Sequence, residues 1–563
     1  MTIIKRITPN RIIRLVSLFL LLAISLRWFY PWSEMPRINI EQRPKTENAR
    51  AATEWYVSPS GQQTNTGAID SPWNLAYALG GAGGSIQPGD TVWLRGGTYE
   101  GNYVSSLSGT ESARITIKQY PGERAIISDN RNGSGMQTLV INGSWTDYIG
   151  FEITNSSTDR VIERPTGLTV LGPNSRIINL VIHDAGNGVG FWSPATNSEL
   201  YGNLSFNNGW QAAEPDRGHG HGVYTQNATG TKQIKDNIFF NQYGWGVQAY
   251  TTNGSLNGFN IDGNASFNNG AAARNERNDN ILVGGHQPAE NATITNNYTY
   301  HPLDAWGMGL HLGYSDTANV NVITRDNYIV GGIWTNNISR WSSITMTGNT
   351  FYSPLTLMEL RLPDGTSPPP PYTWDNNTYY DGSDTAFKLY DINGTKVSYD
   401  FDGWKAASGL DTNSTYSSSS PTGLWKFVRP NAYDSQRANV VVYNWDNLDT
   451  TTLSSSDLSG TGISNNDAYE IRDVQNYFGD PIATGRYNGS SISLPLPDTN
   501  GTAAQPIGGT TTVSHTSKEF NSYVLSYTPA TYHTITPSVS GQGSLSISSP
   551  TQVLGGDDLT VTT

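Results

Sequence analysis

The chain has 563 residues and a formal net charge of −13, with 59 glycines and no cysteine. The lack of cysteine excludes a disulfide framework and a thiolate metal site, and the negative charge argues against nucleic acid as a partner. A chain of this length can bury a long core, and it predicts more than one domain. Glycine supplies the positive φ angles of tight corners, so this composition favours a β protein with many turns.

The amino-terminal segment has the pattern of an export signal. Basic residues within positions 5–14 precede an apolar stretch from Leu15 to Leu26, which is the order of charged and apolar regions in a signal peptide. The apolar stretch is short for a membrane span. We therefore expect a signal peptide or N-terminal anchor over residues 1–32, a linker over 33–53, and an extracellular protein that is secreted or attached to a membrane or cell surface.

An asparagine followed by small, β-branched or aromatic residues recurs about every 28 residues, a period typical of solenoids. The short segments that contain it have the composition of β-strands bounded by glycine and asparagine. Stacked asparagine side chains can hydrogen bond to one another across a strand spacing of about 4.8 Å. We therefore predict a parallel β-helix over residues 54–423, with these asparagines in line along one edge. They are Asn179, Asn203, Asn237, Asn264, Asn297, Asn327, Asn349 and Asn377.

A second strand precedes these asparagines along the chain, and its alternate positions are almost all apolar. Side chains alternate between the two faces of a strand, so these positions predict two inward rows. The first row is Leu168, Val189, Val223, Val247, Ile281 and Leu310, and the second is Val170, Phe191, Thr225, Ala249, Val283 and Leu312. The outward positions then form a polar and aromatic strip that contains Tyr224, Gln248 and His311, with Trp192, Gln226 and Tyr250 in the next outward row.

The sequence that begins at Trp55 resembles a known group of proteins. It contains WYVSPSG at 55–61, PGDTVWL at 88–94 and GGTY at 96–99, a pattern similar to the first coils of pectin-lyase-like right-handed β-helix proteins. These include the chondroitinase B and alginate lyase group and the pectate lyase group of polysaccharide lyases. The resemblance covers roughly residues 54–400 and implies a right-handed β-helix that acts on an acidic polysaccharide. WNLAYAL at 73–79 predicts a short helix that covers the open end of the solenoid.

The sequence changes in character after the serine run at 417–420. Segments such as NVVVYNW and SISLPLP predict a β-sandwich accessory domain over residues 424–530. We expect this domain to contact the β-helix through a modest interface. Residues 531–563 resemble the start of a small β surface-protein repeat, which we expect to be incomplete.

The sharpest cluster of reactive side chains is Asp216, Arg217, His219, His221 and Tyr224. Cleavage of a uronate polymer by β-elimination needs one group to neutralise the carboxylate and another to remove the adjacent C5 proton. Arg217 or a bound cation fits the first role, and a histidine or Tyr224 fits the second. The alternative interpretation is a tight glycine-rich corner in which the histidines only hydrogen bond to backbone groups.

Further candidates lie on the same predicted side of the solenoid. His311 in the outward row is a sixth candidate catalytic residue, because the longest loops and the outward strip are expected to share one face. The candidate substrate-binding residues are Trp192, Gln226, Gln248, Tyr250, Arg274 and Arg277. The aromatic members could stack on sugar rings, although aromatic ladders also stabilise β-helices.

Three function classes remain open at this stage. A lyase acting on an acidic polysaccharide is favoured. A glycoside hydrolase would instead need two carboxylates about 5 to 10 Å apart, for which the candidates are Asp184, Asp216, Glu276, Asp279 and Asp304. A carbohydrate-binding surface protein would use the same strip without catalysis. The expected partner is a polysaccharide, and we expect a monomer.

The sequence offers weak signals for a metal. Asp262 and Asn264 could provide oxygen ligands to calcium, although no EF-hand spacing is present. His219 and His221 could bind zinc from one side of a strand, but no third ligand is identifiable. Calcium is therefore the cofactor to test, and no other is expected.

Overall fold

A computed structural model describes residues 50–563 apart from 275–277, 315–316, 364–371, 381–382, 384, 392, 539–543, 545, 547–548 and 556–563. The predicted signal or anchor segment over residues 1–32 lies outside the described residues, as does the predicted linker as far as residue 49. The chain divides into two units, residues 1–51 and 52–563, and all strands named below belong to the second. In the part of the chain that the structure describes, no helix is both long and apolar enough to cross a bilayer.

Three 12-stranded sheets form a right-handed parallel β-helix, as the asparagine repeat predicts. We call the three sheets A, B and C, and their strands are given in the next paragraph. Each coil contributes one strand to sheet A, then one to sheet C and then one to sheet B. Strands of successive coils pair in parallel, except that the last strand of sheet B, Lys396–Tyr399, pairs antiparallel with Phe387–Tyr390. The sheet positions repeat in register, so residues at equivalent places in successive coils stack along the helix axis.

The strand bounds are as follows. Sheet A contains Glu54–Val57, Thr91–Leu94, Ile115–Gln119, Thr146–Ile149, Arg176–Ile178, Glu199–Tyr201, Lys232–Lys235, Leu256–Asp262, Ala289–Thr295, Val320–Arg325, Ile344–Thr347 and Thr373–Asp375. Sheet B contains Tyr103–Ser105, Gln137–Ile141, Thr166–Val170, Val189–Phe191, Val223–Thr225, Val247–Ala249, Ile281–Val283, Leu310–Leu312, Asn336–Ser339, Met358–Arg361, Phe387–Tyr390 and Lys396–Tyr399. Sheet C contains Gly97–Glu100, Ala125–Asp129, Glu152–Asn155, Val181–His183, Leu204–Phe206, Ile238–Phe240, Ala265–Phe267, Tyr298–Tyr300, Tyr328–Val330, Thr350–Tyr352, Thr378–Tyr380 and Thr415–Ser417.

Among the described residues, two α-helices pack against the solenoid. The helix Leu75–Leu79 begins at Asn74, whose side chain accepts a hydrogen bond from the Tyr77 N–H, and it buries three residues in the core of the first coils. This is the short helix that the sequence predicts. The second helix, Phe401–Ser408, begins at Asp400 and ends at Gly409, and it packs on the last strands of sheet B. Short 3₁₀ helices span Ala82–Gly84 and Val474–Asn476.

The two predicted inward rows are confirmed by the pairing of sheet B. Leu168, Val189, Val223, Val247, Ile281 and Leu310 pair in that order from coil to coil. Each is at most 2% exposed, and together with the inward residues of sheets A and C they form one continuous apolar core. The outward residues between them are therefore fixed on the opposite face.

The asparagine ladder is present at seven of the eight predicted positions. From Asn203 to Asn377, each side chain donates to the Oδ1 atom of the next at 2.8 to 3.0 Å. Asn179 was assigned to the ladder wrongly. It has a φ of 55° and lies one residue earlier in its coil, where Gly202 and Gly263 lie in theirs, and Leu180 occupies the ladder position. The corner residue before each ladder position has a left-handed conformation, which Gly, Asn and Asp adopt readily. An asparagine at this corner therefore looks in the sequence like a ladder asparagine.

We expect Asn264→Leu to lower the free energy of unfolding by about 1 to 3 kcal/mol. The Asn264 Nδ2 atom donates to the Ile234 carbonyl at 2.8 Å and to Asn297 at 3.0 Å, inside a fully buried corner. Urea unfolding followed by circular dichroism measures the change, with Asn260→Leu on the partly exposed face of sheet A as the control. An unchanged midpoint for Asn264→Leu would mean that the ladder does not stabilise the fold.

An antiparallel layer follows the solenoid. A five-stranded sheet is formed by Leu424–Pro430, Arg437–Asn444, Phe520–Thr528, Ala468–Asp473 and Ala483–Arg486, in that spatial order. The antiparallel pair Thr450–Ser454 and Ser491–Pro495 covers one of its faces, so this region is a two-layer sandwich. A further antiparallel pair joins Tyr532–Ile535 to Thr551–Leu554, and Trp210–Gln211 pairs with Gly218–His219 in a loop of the β-helix.

The strand Arg437–Asn444 is buried on both faces, which its unbroken apolar run VVVY reflects. Val440 and Val442 pack against the covering antiparallel pair, whereas Val441 and Tyr443 pack against sheet C of the β-helix. The five-stranded sheet therefore lies between this pair and the solenoid. Sixteen buried residues from both regions form one apolar cluster at this contact.

A buried polar network also joins the carboxyl-terminal region to the β-helix. The Asp184 carboxylate pairs with Arg160 and accepts a hydrogen bond from the Ile507 N–H at 2.8 Å. His183 donates through Nδ1 to Asp184 at 2.7 Å and through Nε2 to Glu152 at 3.0 Å, so its ring is doubly protonated. Burial alone would lower the pKa of His183, but the two carboxylates outweigh it and raise the pKa to about 9.

We expect the stabilising effect of His183 to be lost as pH rises. The pKa of His183 is higher in the folded protein, at about 9, than the ordinary value near 6.5 of the unfolded chain. The charged ring therefore stabilises the fold fully below about pH 6.5, and this stabilisation is lost as the pH rises through about 9. The difference in unfolding free energy between the wild type and His183→Phe, which keeps an aromatic ring on Phe206, should shrink by about 1 to 3 kcal/mol between about pH 6 and about pH 10. A constant difference over this range would show that His183 is not charged in the folded protein.

Candidate active site

The outer face of sheet B carries one row of side chains in register. Tyr224 pairs with Gln248, Gln248 with Leu282, and Leu282 with His311. The predicted row is therefore correct, and about 14 Å separates its two ends if the strands have their usual spacing. Gln248 is buried and its Oε1 atom has no hydrogen-bond partner among the described residues.

An aromatic strip runs beside this row. Trp192 meets Tyr224 at a centroid distance of 5.2 Å, and Tyr224 lies 6.4 Å from Tyr250. Tyr250 meets Tyr314 at 5.4 Å, which in turn lies 5.7 Å from His311. The strip thus extends across five strands of sheet B. Its members are partly exposed, so their ring edges and faces can contact a ligand that lies along the helix axis.

The loop that carries the predicted cluster folds into a small hairpin. Asp216 accepts a hydrogen bond from His219 Nε2 at 2.8 Å, and this bond lowers the pKa of the carboxyl group. The His219 ring stacks on Trp210 at 5.2 Å with an angle of 15° between the planes. Asp216 and His219 therefore bind each other within their own loop, and both remain partly exposed.

Arg217 leaves this hairpin in a different direction. Its guanidinium lies over the Trp245 ring at 5.1 Å, a cation–π contact that holds the positive charge at the surface of the strip. The Trp245 Nε1–H donates to Asp279 Oδ2 at 3.1 Å. Trp245 thus contacts both Arg217 and the carboxylate of the following coil. Arg217 remains the member of the predicted cluster best placed to attract an anion.

His221 has an environment that opposes proton uptake. Its ring is buried against Tyr224 and Trp245, and its Nδ1 atom accepts a hydrogen bond from the Trp245 N–H at 3.1 Å. Burial, together with the charges of Arg217 and His219, lowers the pKa of His221 to about 3. The ring is neutral with its proton on Nε2. This arrangement supports the structural interpretation of His221 and does not favour it as a base.

His311 is held by a carboxylate. Its Nδ1 atom donates to Asp279 Oδ2 at 2.8 Å, and the other Asp279 oxygen accepts from the Met308 N–H at 3.3 Å. Burial alone would raise the pKa of Asp279, but His311, Trp245 and Met308 outweigh it and hold the pKa below its usual range. An ionised aspartate on Nδ1 fixes the tautomer and orientation of the imidazole and leaves Nε2 as the proton acceptor. Asp279 and His311 thus form an acid–base pair on the strip that is held by hydrogen bonds from Trp245 and Met308 to Asp279.

The remaining predicted binding residues are dispersed. Arg274 pairs with Glu214 at 2.9 Å, and its N–H donates to Gln211, so it joins two loops beside the strip. Gln226 lies at the strand end, where its carbonyl accepts from the buried Lys232. Arg277 lies outside the described residues, as does Glu276.

The candidate carboxylates for hydrolysis are not gathered at one place. Asp184 is buried in the His183 network, and Asp304 lines a different pocket with residues of the carboxyl-terminal layer. Asp216 and Asp279 lie near the strip, and each hydrogen bonds to a histidine.

An open pocket that sequence reasoning missed continues the strip beyond His311. It has a volume of about 430 Å³ and is lined by His311, Gly313, Tyr314, Trp334, Asn337, Ser339, Glu359, Arg361 and Tyr390. The outward parity of strands Met358–Arg361 and Phe387–Tyr390 is the signal that could have found it.

The donor set does not form a calcium cage. Among the described residues, no three of His, Cys, Asp or Glu come together in a way that could hold a metal ion. Asp262 accepts from Thr295, Asn296 and Arg429, and Asn264 belongs to the ladder. The proposed zinc ligands His219 and His221 are each engaged elsewhere. These residues therefore do not fit the predicted metal.

Comparison with known proteins agrees with this architecture. Residues 55–301 match the family model described as "Pel9A-like, right handed beta helix region". Over 331 residues the chain is 25% identical to pectate lyase L of Paenibacillus polymyxa (strain SC2), a match that covers 53% of this chain and 69% of that protein. Over 296 residues it is 23% identical to pectate lyase L of Dickeya dadantii (strain 3937), covering 45% of this chain and 67% of that protein.

Among solved structures, the crystal structure of pectate lyase Pel9A superposes with a TM-score of 0.36 at 14% identity, covering 66% of this chain and 78% of that one. The superposition is loose, and it adds nothing to the sequence match. The parallel sheets and the asparagine ladder show a right-handed parallel β-helix, and residues 55–301 are similar to the β-helix region of the Pel9A-like, pectin-lyase-like proteins.

Proposed function

We propose that this protein is an extracellular lyase that cleaves a uronate-containing polysaccharide by β-elimination. The observation that carries the proposal is the hydrogen-bonded Asp279–His311 pair on the outer strip of sheet B. His311 lies beside Tyr314, and Arg217 lies over the Trp245 ring, which donates to Asp279. Sequence similarity to pectate lyases supports a substrate of this class. The fold alone would not, since one fold carries many functions.

The reaction requires two roles that this strip can fill. A base removes the proton from C5 of a uronate, the electron pair forms the C4=C5 double bond, and the C4–O4 bond to the neighbouring sugar breaks. The departing oxygen takes a proton from solvent, and the new chain end carries an unsaturated uronate. Removing the C5 proton is easier when the attached carboxylate is neutralised.

His311 is the base in this proposal. Asp279 holds its Nδ1–H, so Nε2 is free to accept the C5 proton, and the imidazolium that results is stabilised by the ionised carboxylate. The side chain of His311 is 12% exposed, enough to meet a sugar in the adjacent pocket. Of the six predicted catalytic residues, only His311 both hydrogen bonds to a carboxylate of the adjacent coil, Asp279, and lines this open pocket.

Arg217 is the proposed partner of the substrate carboxylate. Arg217 lies over Trp245, and the Trp245 Nε1–H donates to Asp279. One indole ring therefore contacts both the cation and the carboxylate that orients His311. Trp192, Tyr224 and Tyr250 would support sugar rings on the amino-terminal side of His311. Asp216 and His219 would shape the loop that carries Arg217.

No step is assigned to calcium, because the described residues do not fit it. We keep Ca²⁺ as a variable of the assay, and we propose a secreted or surface-attached monomer whose partner is the polysaccharide. Nucleic acid is not expected to bind a chain with a net charge of −13.

The test is an activity panel. Purified protein is incubated with polygalacturonate, alginate, glucuronan and a neutral glycan, each with added Ca²⁺ and with chelator. Ultraviolet absorbance detects unsaturated ends, and a reducing-end assay detects every new chain end. Equal yields of both signals on a uronate polymer support the lyase. Reducing ends without absorbance would replace it with the hydrolase, and binding without either product would replace it with a carbohydrate-binding role.

A further inference from the structure

Trp245 lies between the loop that carries Arg217 and the coil that carries Asp279. The Arg217 guanidinium lies 5.1 Å from the centre of the Trp245 ring, and the Trp245 Nε1–H donates to Asp279 Oδ2 at 3.1 Å. The Trp245 backbone N–H donates to His221 Nδ1, also at 3.1 Å. The ring face, the indole N–H and the backbone N–H of one residue therefore each contact a different member of the candidate site.

The contacts of Trp245 follow one row of residues along the helix axis. Each member of the row lies two residues before a sheet B strand, and these strands pair in register from coil to coil. The N–H that follows each row residue donates to the carbonyl of the next row residue at 2.8 to 3.2 Å. The row contains His221, Trp245, Asp279 and Met308. Stacking in register thus places these residues side by side, although they lie far apart along the chain.

Three donors fix the Asp279 carboxylate. Oδ2 accepts both from His311 Nδ1 at 2.8 Å and from the Trp245 indole at 3.1 Å, and Oδ1 accepts from the Met308 N–H at 3.3 Å. A hydrogen bond to an ionised acceptor is stronger than one between neutral groups, so the indole contributes to holding Oδ2 in place. Because the same oxygen orients His311, the indole also controls the direction of the imidazole.

His221 holds Trp245 from the other side. Burial and neighbouring positive charge lower the pKa of His221 to about 3, so Nδ1 carries no proton and accepts the Trp245 N–H. The imidazole lies 5.1 Å from the Trp245 ring and 5.5 Å from the Tyr224 ring. The backbone at Gly244 approaches it so closely that a Cβ atom there would lie 2.7 Å from His221 Nδ1. This contact needs an acceptor nitrogen and no transfer of a proton.

We propose that Trp245 is a positioning residue of the candidate site, which orients Asp279 with its indole N–H and holds Arg217 with its ring face. His221 fixes Trp245 through its acceptor nitrogen. The proposal rests on the proposed function for the reaction that this arrangement serves, and on the contacts of Trp245 for the arrangement itself. The proposed base and cation belong to different coils, and one rigid indole that contacts both Asp279 and Arg217 keeps their separation constant.

Trp245→Phe removes the indole N–H and keeps an aromatic ring beneath Arg217. We expect kcat on the best uronate polymer to fall about 10- to 100-fold with KM within about threefold, because the lost bond orients the base and does not bind substrate. In the Asp279→Asn background the same change should cost little more, since the indole acts through that carboxylate. Trp55→Phe is the matched control, because it removes an indole bond of 3.0 Å to Asp90 in the first coil and should leave kcat unchanged.

A pair of His221 variants tests how Trp245 is held. His221→Asn keeps an acceptor near the position of Nδ1, whereas His221→Phe keeps a ring and loses the acceptor. We expect His221→Phe to lower kcat about 3- to 30-fold and His221→Asn to keep most of the activity. Equal kcat in the two variants would overturn this role of His221. The pair also replaces Trp245→Phe if the unfolding midpoint shows that this variant does not fold.

Nuclear magnetic resonance of isotope-labelled tryptophan tests the contact without turnover. The indole signal of Trp245 is the one that disappears in Trp245→Phe, and Asp279→Asn should shift it, whereas Trp55→Phe should leave it in place. An unshifted signal in Asp279→Asn, or normal kcat in Trp245→Phe, would overturn the positioning role and leave the lyase proposal intact. If the wild type releases no unsaturated product while the signal behaves as expected, the lyase proposal fails and the orientation of Asp279 by Trp245 stands.

Discussion

Replacing His311 by alanine is expected to lower kcat on the best uronate polymer by about a hundredfold or more, with KM nearly unchanged. His311 Nε2 is the proposed acceptor of the C5 proton, so its loss removes a group that acts in the transition state. Added imidazole should restore part of the rate, because the cavity left by the side chain adjoins an open pocket. Initial rates of absorbance at ultraviolet wavelengths measure both effects.

The companion variant is Asp279→Asn. An amide at this position can donate to Nδ1 and would favour the tautomer that has its proton on Nε2, which cannot accept the substrate proton. We expect a loss of kcat comparable to that of His311→Ala and little further loss in the double variant, because the two residues act as a unit. His533→Ala, on the exposed strand Tyr532–Ile535, is the matched control.

Normal kcat in both His311→Ala and Asp279→Asn would remove the pair from the mechanism. Arg217→Gln distinguishes proton removal by His311 from neutralisation of the substrate carboxylate by Arg217. Loss of Arg217 should lower turnover, and added imidazole should not restore it. A raised KM with normal kcat in that variant would assign Arg217 to substrate binding alone.

The fold was largely predictable because a solenoid repeats its rules. A period of about 28 residues indicated stacked coils, and alternation along the second strand predicted the inward rows that the strand pairing confirms. The one ladder error is local. Asn179 follows a strand as the true ladder members do, but it occupies the left-handed corner, and a sequence motif alone does not distinguish two adjacent positions that both accept asparagine.

The candidate site was only partly predictable, because its contacts cross between coils through loops of different length. Tyr224, Gln248 and His311 could be placed on one row from strand parity. The hydrogen bonds of Asp279 to His311 and to Trp245 could not, since they join positions 32 and 34 residues apart through irregular loops. His221 was attractive by residue type, and only its burial and its bond from the Trp245 N–H reveal a neutral ring.

The attachment of the antiparallel layer was the least predictable feature. Sheet C carries on its outer face a stack of Phe206, Phe240 and Phe267, with centroid distances of 5.0 and 5.1 Å and nearly parallel rings. From sequence, such a row could equally be an exposed ladder or a ligand surface. In the structure, Phe520 and Tyr443 of the antiparallel layer cover its continuation.

Phe520→Ala is expected to lower the free energy of unfolding by about 3 to 5 kcal/mol, one of the largest single losses available in this chain. Phe520 is fully buried, stacks on Tyr300 at 5.0 Å and contacts Phe267 at 4.9 Å and Tyr443 at 5.1 Å. The ring thus fills the seam between sheet C and the antiparallel layer, so its removal leaves a cavity that neither rigid sheet can close.

Calorimetry and denaturant unfolding should show the loss as one cooperative transition, since the seam joins both regions. Phe478→Ala is the control, because that ring is 42% exposed and its loss should lower the free energy of unfolding far less.

If the two regions are instead independent, Phe520→Ala would split the unfolding curve, and a chain ending at residue 423 would remain soluble. We expect that truncated chain to aggregate, because it would expose the aromatic stack of sheet C and the buried carboxylate of Asp184, which would lose the Ile507 N–H. A soluble, fully folded truncation would show that the apolar seam is dispensable and that the β-helix is stable alone.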